Sequence, residues 1–132
     1  MPMYQPEIET MPQDQIRAHQ SKLLVQQVRN VYDNVPYYRA KMEAKGITPD
    51  DIHGLEDLHK LPFLSKNDLR EAYPYGLLAR PLKDCVRIQS TSGTTGRRVV
   101  AFYTQHDLDL WEDCCARAIM AAGGTNEDVC TD

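Results

Sequence analysis

One short run holds most of the chemistry this chain can offer: Gln89-Ser90-Thr91-Ser92-Gly93-Thr94-Thr95-Gly96-Arg97-Arg98. Glycine tolerates positive φ and close backbone approach, so successive N–H groups can turn toward one point and form an anion nest. The hydroxyls of Thr91, Ser92, Thr94 and Thr95 add donors that rotate to suit phosphate oxygens, and Arg97 and Arg98 add positive charge. A hydrogen bond to a charged group is worth roughly 1.5–3 kcal/mol before desolvation and loop ordering are subtracted. A few of them suffice to position a polyphosphate tail. The run is not a Walker A loop, because two residues separate Gly93 from Gly96 where four are needed, and a strand-like stretch follows instead of a helix. G-x-G-x-x-G is absent, which removes the dinucleotide fingerprint. On composition alone the run also reads as a flexible polar turn.

Other reactive side chains offer less. His106 stands alone near a helix start and reads as a surface or capping residue. Asp107, Asp109, Glu112 and Asp113 fall at helical spacing and read as a solvated face, not a metal cluster. Cys85, Cys114, Cys115 and Cys130 contain no C-x-x-C pair, so reduced thiols are the better reading. No catalytic residue and no metal ligand is assigned.

The elements that must position the loop are legible as periodicities. Val86-Arg87-Ile88 reads as a strand before it and Val99–Tyr103 as a strand after it. Thr104, with Asp107 three residues on, caps a long helix whose face carries Leu108, Trp111, Cys115, Ala118, Ile119 and Ala122, and Gly123-Gly124 end it. Upstream, Ile16, Leu23, Leu24, Gln27, Val28, Val31, Tyr32 and Val35 recur at three- and four-residue steps from Asp14 onward, predicting an amphipathic helix stopped by Pro36. A short helix from Tyr37 to Lys45 follows, capped by Gly46. Thr48-Pro49-Asp50-Asp51 predicts another start, with Leu55, Leu58 and Leu61 as one apolar ridge. Ser65–Asp68 resembles a capping box opening a helix through Tyr73. Residues 1–12 are proline-rich and aperiodic, predicting an irregular arm.

With 132 residues, 42% hydrophobic and 26% charged, the chain suits a single ordinary domain. A net charge of −4 argues against a nucleic-acid partner. No apolar run reaches the ~18 residues of a membrane span, and the first residues lack the pattern of a secretory signal, so the cytosol is the expected compartment.

Thr91-Ser92-Gly93-Thr94-Thr95-Gly96-Arg97 is similar to the [S/T]-S-G-T-T-G-K signature of the adenylate-forming superfamily of acyl-CoA synthetases and luciferases, with only the final Lys replaced. Arg97 keeps that charge but substitutes a planar fork for a compact ammonium. Arg98 and Val99 stand where Pro and a small residue are more usual. Val35-Pro36-Tyr37-Tyr38-Arg39, Leu61–Arg70 and Tyr73-Pro74-Tyr75-Gly76-Leu77 resemble the N-terminal region of the phenylacetate-CoA ligase branch, with the likeness running from about Leu23 onward.

The resemblance implies an α/β enzyme, α+β within this chain: N-terminal helices, a β-hairpin and a long helix that begin the large domain of an adenylate-forming ligase. Residues 1–13 would be the arm and 14–132 an incomplete AMP-binding domain. It implies two steps, in which a carboxylate attacks the α-phosphate of Mg-ATP and CoA thiol then displaces AMP. Thr91, Ser92, Gly93, Thr94, Thr95, Gly96 and Arg97 would be the nucleotide-binding set, with ATP, Mg²⁺ and coenzyme A as cofactors and an aryl acid such as phenylacetate as substrate. The later family motifs for adenine, ribose, the Mg²⁺-binding acid and the catalytic lysine have no counterpart here, so the chain alone is expected to be inactive. Two strands and an uncovered apolar helix face also predict that the isolated chain either self-associates or is only partly folded. Two readings compete: a non-catalytic interaction or regulatory remnant of the same scaffold, and a helical structural protein with an inert loop.

Overall fold

The computed structural model describes residues 3–93 and 98–129. Its α-helices are α1 (Pro6–Glu9), α2 (Gln13–Asn34), α3 (Pro36–Ala44), α4 (Lys66–Glu71) and α5 (Gln105–Ala121), and its strands are β1 (Cys85–Ser90) and β2 (Val100–Thr104). This is the expected α+β order of helices, hairpin and long helix.

The core lies in the helical part. Val28 of α2, Met42 of α3 and Ile52 are buried, and Leu24, Tyr32, Tyr38, Ile47 and Leu61 pack around them. Val35 is extended between α2 and α3, as the following proline dictates, and Pro36 occupies the first turn of α3. The Val35 side chain is buried as well. Tyr38 reaches across to donate its hydroxyl to the Pro62 carbonyl at 2.8 Å, which ties the loop after the 3-10 turns to α3.

Three expectations need correction. The N-terminal arm is not wholly irregular: Pro6–Glu9 forms one helical turn, and its approach is tied to α5 by Arg117 donating to Gln5 and Tyr4 donating to Asp113. Thr48 opens only a 3-10 turn, Pro49–Asp51, and Leu55–Lys60 is a second 3-10 segment in which Leu58 is half exposed. Leu55, Leu58 and Leu61 therefore do not form one buried ridge; Leu61 alone of the three packs against the core cluster. Helix α4 ends at Glu71, short of Tyr73, because Tyr73 precedes a proline and is pushed from helical geometry.

Asp68 fastens α4 to α3. Its Oδ2 accepts from the Ser65 amide and hydroxyl, both at 2.6 Å, closing the capping box. Its Oδ1 accepts from the Tyr37 hydroxyl at 2.8 Å and pairs with Lys41. With Lys41, Ser65 and Tyr37 all stabilising the anion, the carboxyl is held well below the usual aspartate range. The same contact with the Asp68 carboxylate pushes the Tyr37 phenol up to about 12.

Asp68 binds its proton more weakly folded than unfolded, so it stabilises the fold fully above about pH 5 and loses that contribution as pH falls through about 4 and below. Urea midpoints measured from pH 7 to pH 3 should fall with acid, and Asp68→Asn should flatten that dependence. At pH 7 the same variant should melt roughly 3–6 °C lower, the size of one modest interaction in a domain of this length.

Candidate functional site

The strands pair antiparallel, with Ile88 opposite Phe102, Gln89 opposite Ala101 and Ser90 opposite Val100, and an irregularity between Cys85 and Arg87. Neighbouring residues of a strand face opposite sides of its sheet. Phe102 and Tyr103 accordingly meet different partners. The Phe102 ring lies 5.5 Å from that of Tyr75, and the Tyr103 ring lies 5.5 Å from that of Trp111 on α5. Strand β2 is gripped from both faces by aromatic contacts.

Tyr75 reaches that position from a compact turn. The Tyr73–Pro74 peptide is cis, and the Gly76 amide donates to the Ala72 carbonyl at 2.7 Å. A Cβ on Gly76 would sit 2.7 Å from that carbonyl and 3.0 Å from the Ala72 Cα, so only glycine fits without displacing backbone.

Past Ser90 and Val100 the hairpin closes once more before the loop departs. The Thr91 amide donates to the Val99 carbonyl at 3.0 Å, and the Val99 amide donates to the Thr91 hydroxyl oxygen at 3.1 Å. Gly93 follows with φ of +73°, a left-handed conformation that disfavours side chains bearing a Cβ. The hairpin thus brings Thr91, Ser92 and Gly93 to one end of the sheet, with Arg98 exposed on the returning side. Thr94, Thr95, Gly96 and Arg97 lie outside the described residues.

The other reactive groups fall as follows. Thr104 and Asp107 form a reciprocal capping box: the Thr104 amide and hydroxyl donate to Asp107 at 2.8 and 2.7 Å. Those two bonds hold the Asp107 carboxyl below its ordinary range, with His106 and Arg80 adding smaller contributions. Asp107 is therefore occupied in starting α5. Asp109 accepts from Gln105 one turn away, and no group of three metal-binding side chains occurs among the described residues. Cys85, Cys114 and Cys115 are free thiols.

A half-open cleft of about 1180 Å³ lies between α2, the segment around Leu78 and Arg80, and the junction of β2 with α5. Leu23, Gln27, Phe102 and His106 are among its lining, and no described residue of the 90–98 loop is. Sequence reading missed it because its walls come from segments far apart in the chain. Leu23 was the available signal: it belongs to the apolar pattern of α2, yet it is half exposed and lines the cleft wall. Further apolar surface is open on the hairpin and α5, where Val86, Ile88, Leu110, Trp111 and Ile119 are all 41–60% exposed.

No protein-family model matches the chain. Individual relatives do. The phenylacetate-coenzyme A ligase of Pseudomonas putida is 47% identical over 121 residues, which is 92% of this chain and 28% of that protein. The enzymes of the same name from Thermus thermophilus and Escherichia coli are each 45% identical over the same share of this chain. Over nearly all of its own length the chain is similar to phenylacetate-coenzyme A ligases. It spans between 27% and 28% of the length of the relatives it matches. The crystal structure of a 2-hydroxyisobutyryl-CoA ligase in complex with 2-HIB-AMP and CoA superposes with a TM-score of 0.78 at 30% identity, covering 91% of this chain and 27% of that one. A second structure of that ligase, in the postadenylation state with 2-HIB-AMP, gives 0.79 at 27% identity. The fold is that of the corresponding segment of CoA ligases. No helix among the described residues is long and apolar enough to cross a membrane.

The cap on α5 gives a direct check on how the hairpin is joined to its helix. Thr104→Ala should lower unfolding free energy by about 1 kcal/mol, and Thr104→Ser should recover most of it, in urea titrations followed by far-ultraviolet circular dichroism.

Proposed function

We propose that this chain is the N-terminal segment of an ATP-dependent, AMP-forming aryl-acid CoA ligase, and that its 90–98 loop grips the β- and γ-phosphates of ATP. The whole reaction would be phenylacetate + ATP + CoA to phenylacetyl-CoA + AMP + pyrophosphate. The observation that carries this reading is the 45–47% identity with four phenylacetate-coenzyme A ligases over 92% of the chain. The positive φ of Gly93, at the end of a hairpin, is one element of the backbone geometry of a phosphate nest.

In this reading the loop works by positioning and charge neutralisation. Ser92, Gly93, Thr94, Thr95 and Gly96 surround the phosphate tail, and Arg97 supplies the charge that the family's lysine usually does. The carboxylate then attacks an α-phosphate whose leaving pyrophosphate is already held. Among the described residues no group of three metal-binding side chains occurs, and this reading assigns Mg²⁺ to no residue of the chain. It places the acid pocket and the CoA channel in the rest of the ligase. A cytosolic setting goes with this reading, in keeping with the free thiols of Cys85, Cys114 and Cys115.

Titration with ATP, followed by the intrinsic fluorescence of Trp111 and by calorimetry, tests the loop. Weak binding is expected, and Gly93→Val should reduce it at least about tenfold, because a β-branched residue resists the left-handed conformation. Absence of ATP binding in the wild-type chain would favour a non-catalytic remnant of the scaffold.

The exposed apolar surface of the hairpin and α5 carries a second expectation. The isolated chain should self-associate, with a sedimentation coefficient that rises with concentration across the micromolar range. A compact monomer with a sharp thermal transition would overturn it.

A further inference from the structure

We propose that Thr91 is the positioning residue at the neck of the loop and not one of the groups that touch the nucleotide. This rests on the phosphate-binding reading above and assigns one member of that set a different task. In an antiparallel ladder a hydrogen-bonded pair exchanges two backbone bonds. Thr91 and Val99 keep one of them: the Thr91 amide donates to the Val99 carbonyl at 3.0 Å. The second is replaced. The Val99 amide donates to the Thr91 hydroxyl oxygen at 3.1 Å, where a continued ladder would use the Thr91 carbonyl.

Two consequences follow. The Thr91 amide points into the hairpin, so the nest can begin no earlier than Ser92. The side-chain oxygen also ends the ladder at Thr91, two residues before Gly93 with its φ of +73°. The last ordinary strand pair is Ser90 with Val100, and the Thr91–Val99 clasp sets the direction in which the backbone leaves β1 at Ser92. Losing the clasp would lengthen the loop by only two residues, an entropic change worth less than about twofold in closure. Its role is therefore directional. Serine keeps the acceptor oxygen; valine keeps the shape and β-branching but removes it.

The full 132-residue chain, isotopically labelled, permits a test at the atoms concerned. The Val99 amide should exchange slowly in wild type and in Thr91→Ser, and clearly faster in Thr91→Val. ATP affinity should fall about fivefold in Thr91→Val, the equivalent of one net hydrogen bond, and stay within about twofold in Thr91→Ser. In a Val99→Pro background, where the donor is already gone, Thr91→Val should cost nothing further. Unchanged Val99 exchange in Thr91→Val would overturn the clasp. Faster exchange with unaltered ATP affinity would overturn its positioning role, and a full additional loss in the Val99→Pro background would reveal a direct phosphate contact instead. Failure of the wild-type chain to bind ATP at all would end the phosphate-binding reading, while the exchange measurements would still decide whether the clasp exists.

Discussion

A two-stranded hairpin in water is marginal, and a loop carried on one inherits that weakness unless something else holds the strands. Here the holding is done at β2. Phe102 lies against Tyr75 and Tyr103 against Trp111, so consecutive residues are restrained on opposite faces of the sheet. A shift of register by one residue would exchange those faces and lose both ring pairs together. The direction in which the loop leaves the sheet depends on that grip together with the Thr91–Val99 clasp, since the contacts nearer the loop are hydrogen bonds alone.

The two clamps have different origins. Trp111 is delivered by α5, whose start is fixed by the reciprocal Thr104–Asp107 cap at the last residue of β2, leaving no slack between strand and helix. Tyr75 is delivered by a turn in which Gly76 approaches the Ala72 backbone too closely for any side chain. That turn follows α4, and α4 is fastened to α3 through Asp68. A continuous physical route thus runs from the helical core through α3, Asp68, α4 and Tyr75 to β2. Asp68 lies far from the 90–98 loop in sequence, yet it belongs to that loop's support.

Much of this was readable from residue types. The three reciprocal boxes at Thr48, Ser65 and Thr104 obey a local rule, and local rules survive without tertiary context. The proline stops at Pro36 and Pro74 obey another. What escaped is non-local. Leu58 has the spacing of a core residue, and in a 3-10 segment it even eclipses Leu55, yet it is half exposed: three-residue spacing defines a face without saying what covers it. The arm's contact with α5 pairs Gln5 with Arg117 across nearly the whole chain, which no periodicity encodes. Within the loop, glycine and hydroxyl content pointed to an anion, whereas the part Thr91 plays in closing the hairpin emerges only when Val99 is brought opposite it.

The buried cluster of Val28, Met42 and Ile52, with its surrounding shell, is drawn entirely from residues 24–61. Short sequence separation favours rapid folding, and domains emerging from the ribosome order from the N-terminus onward. This half can therefore consolidate while the hairpin is still being synthesised. The growing chain would acquire a rigid foundation first, and the strands bearing the 90–98 loop would then form against a surface already in place.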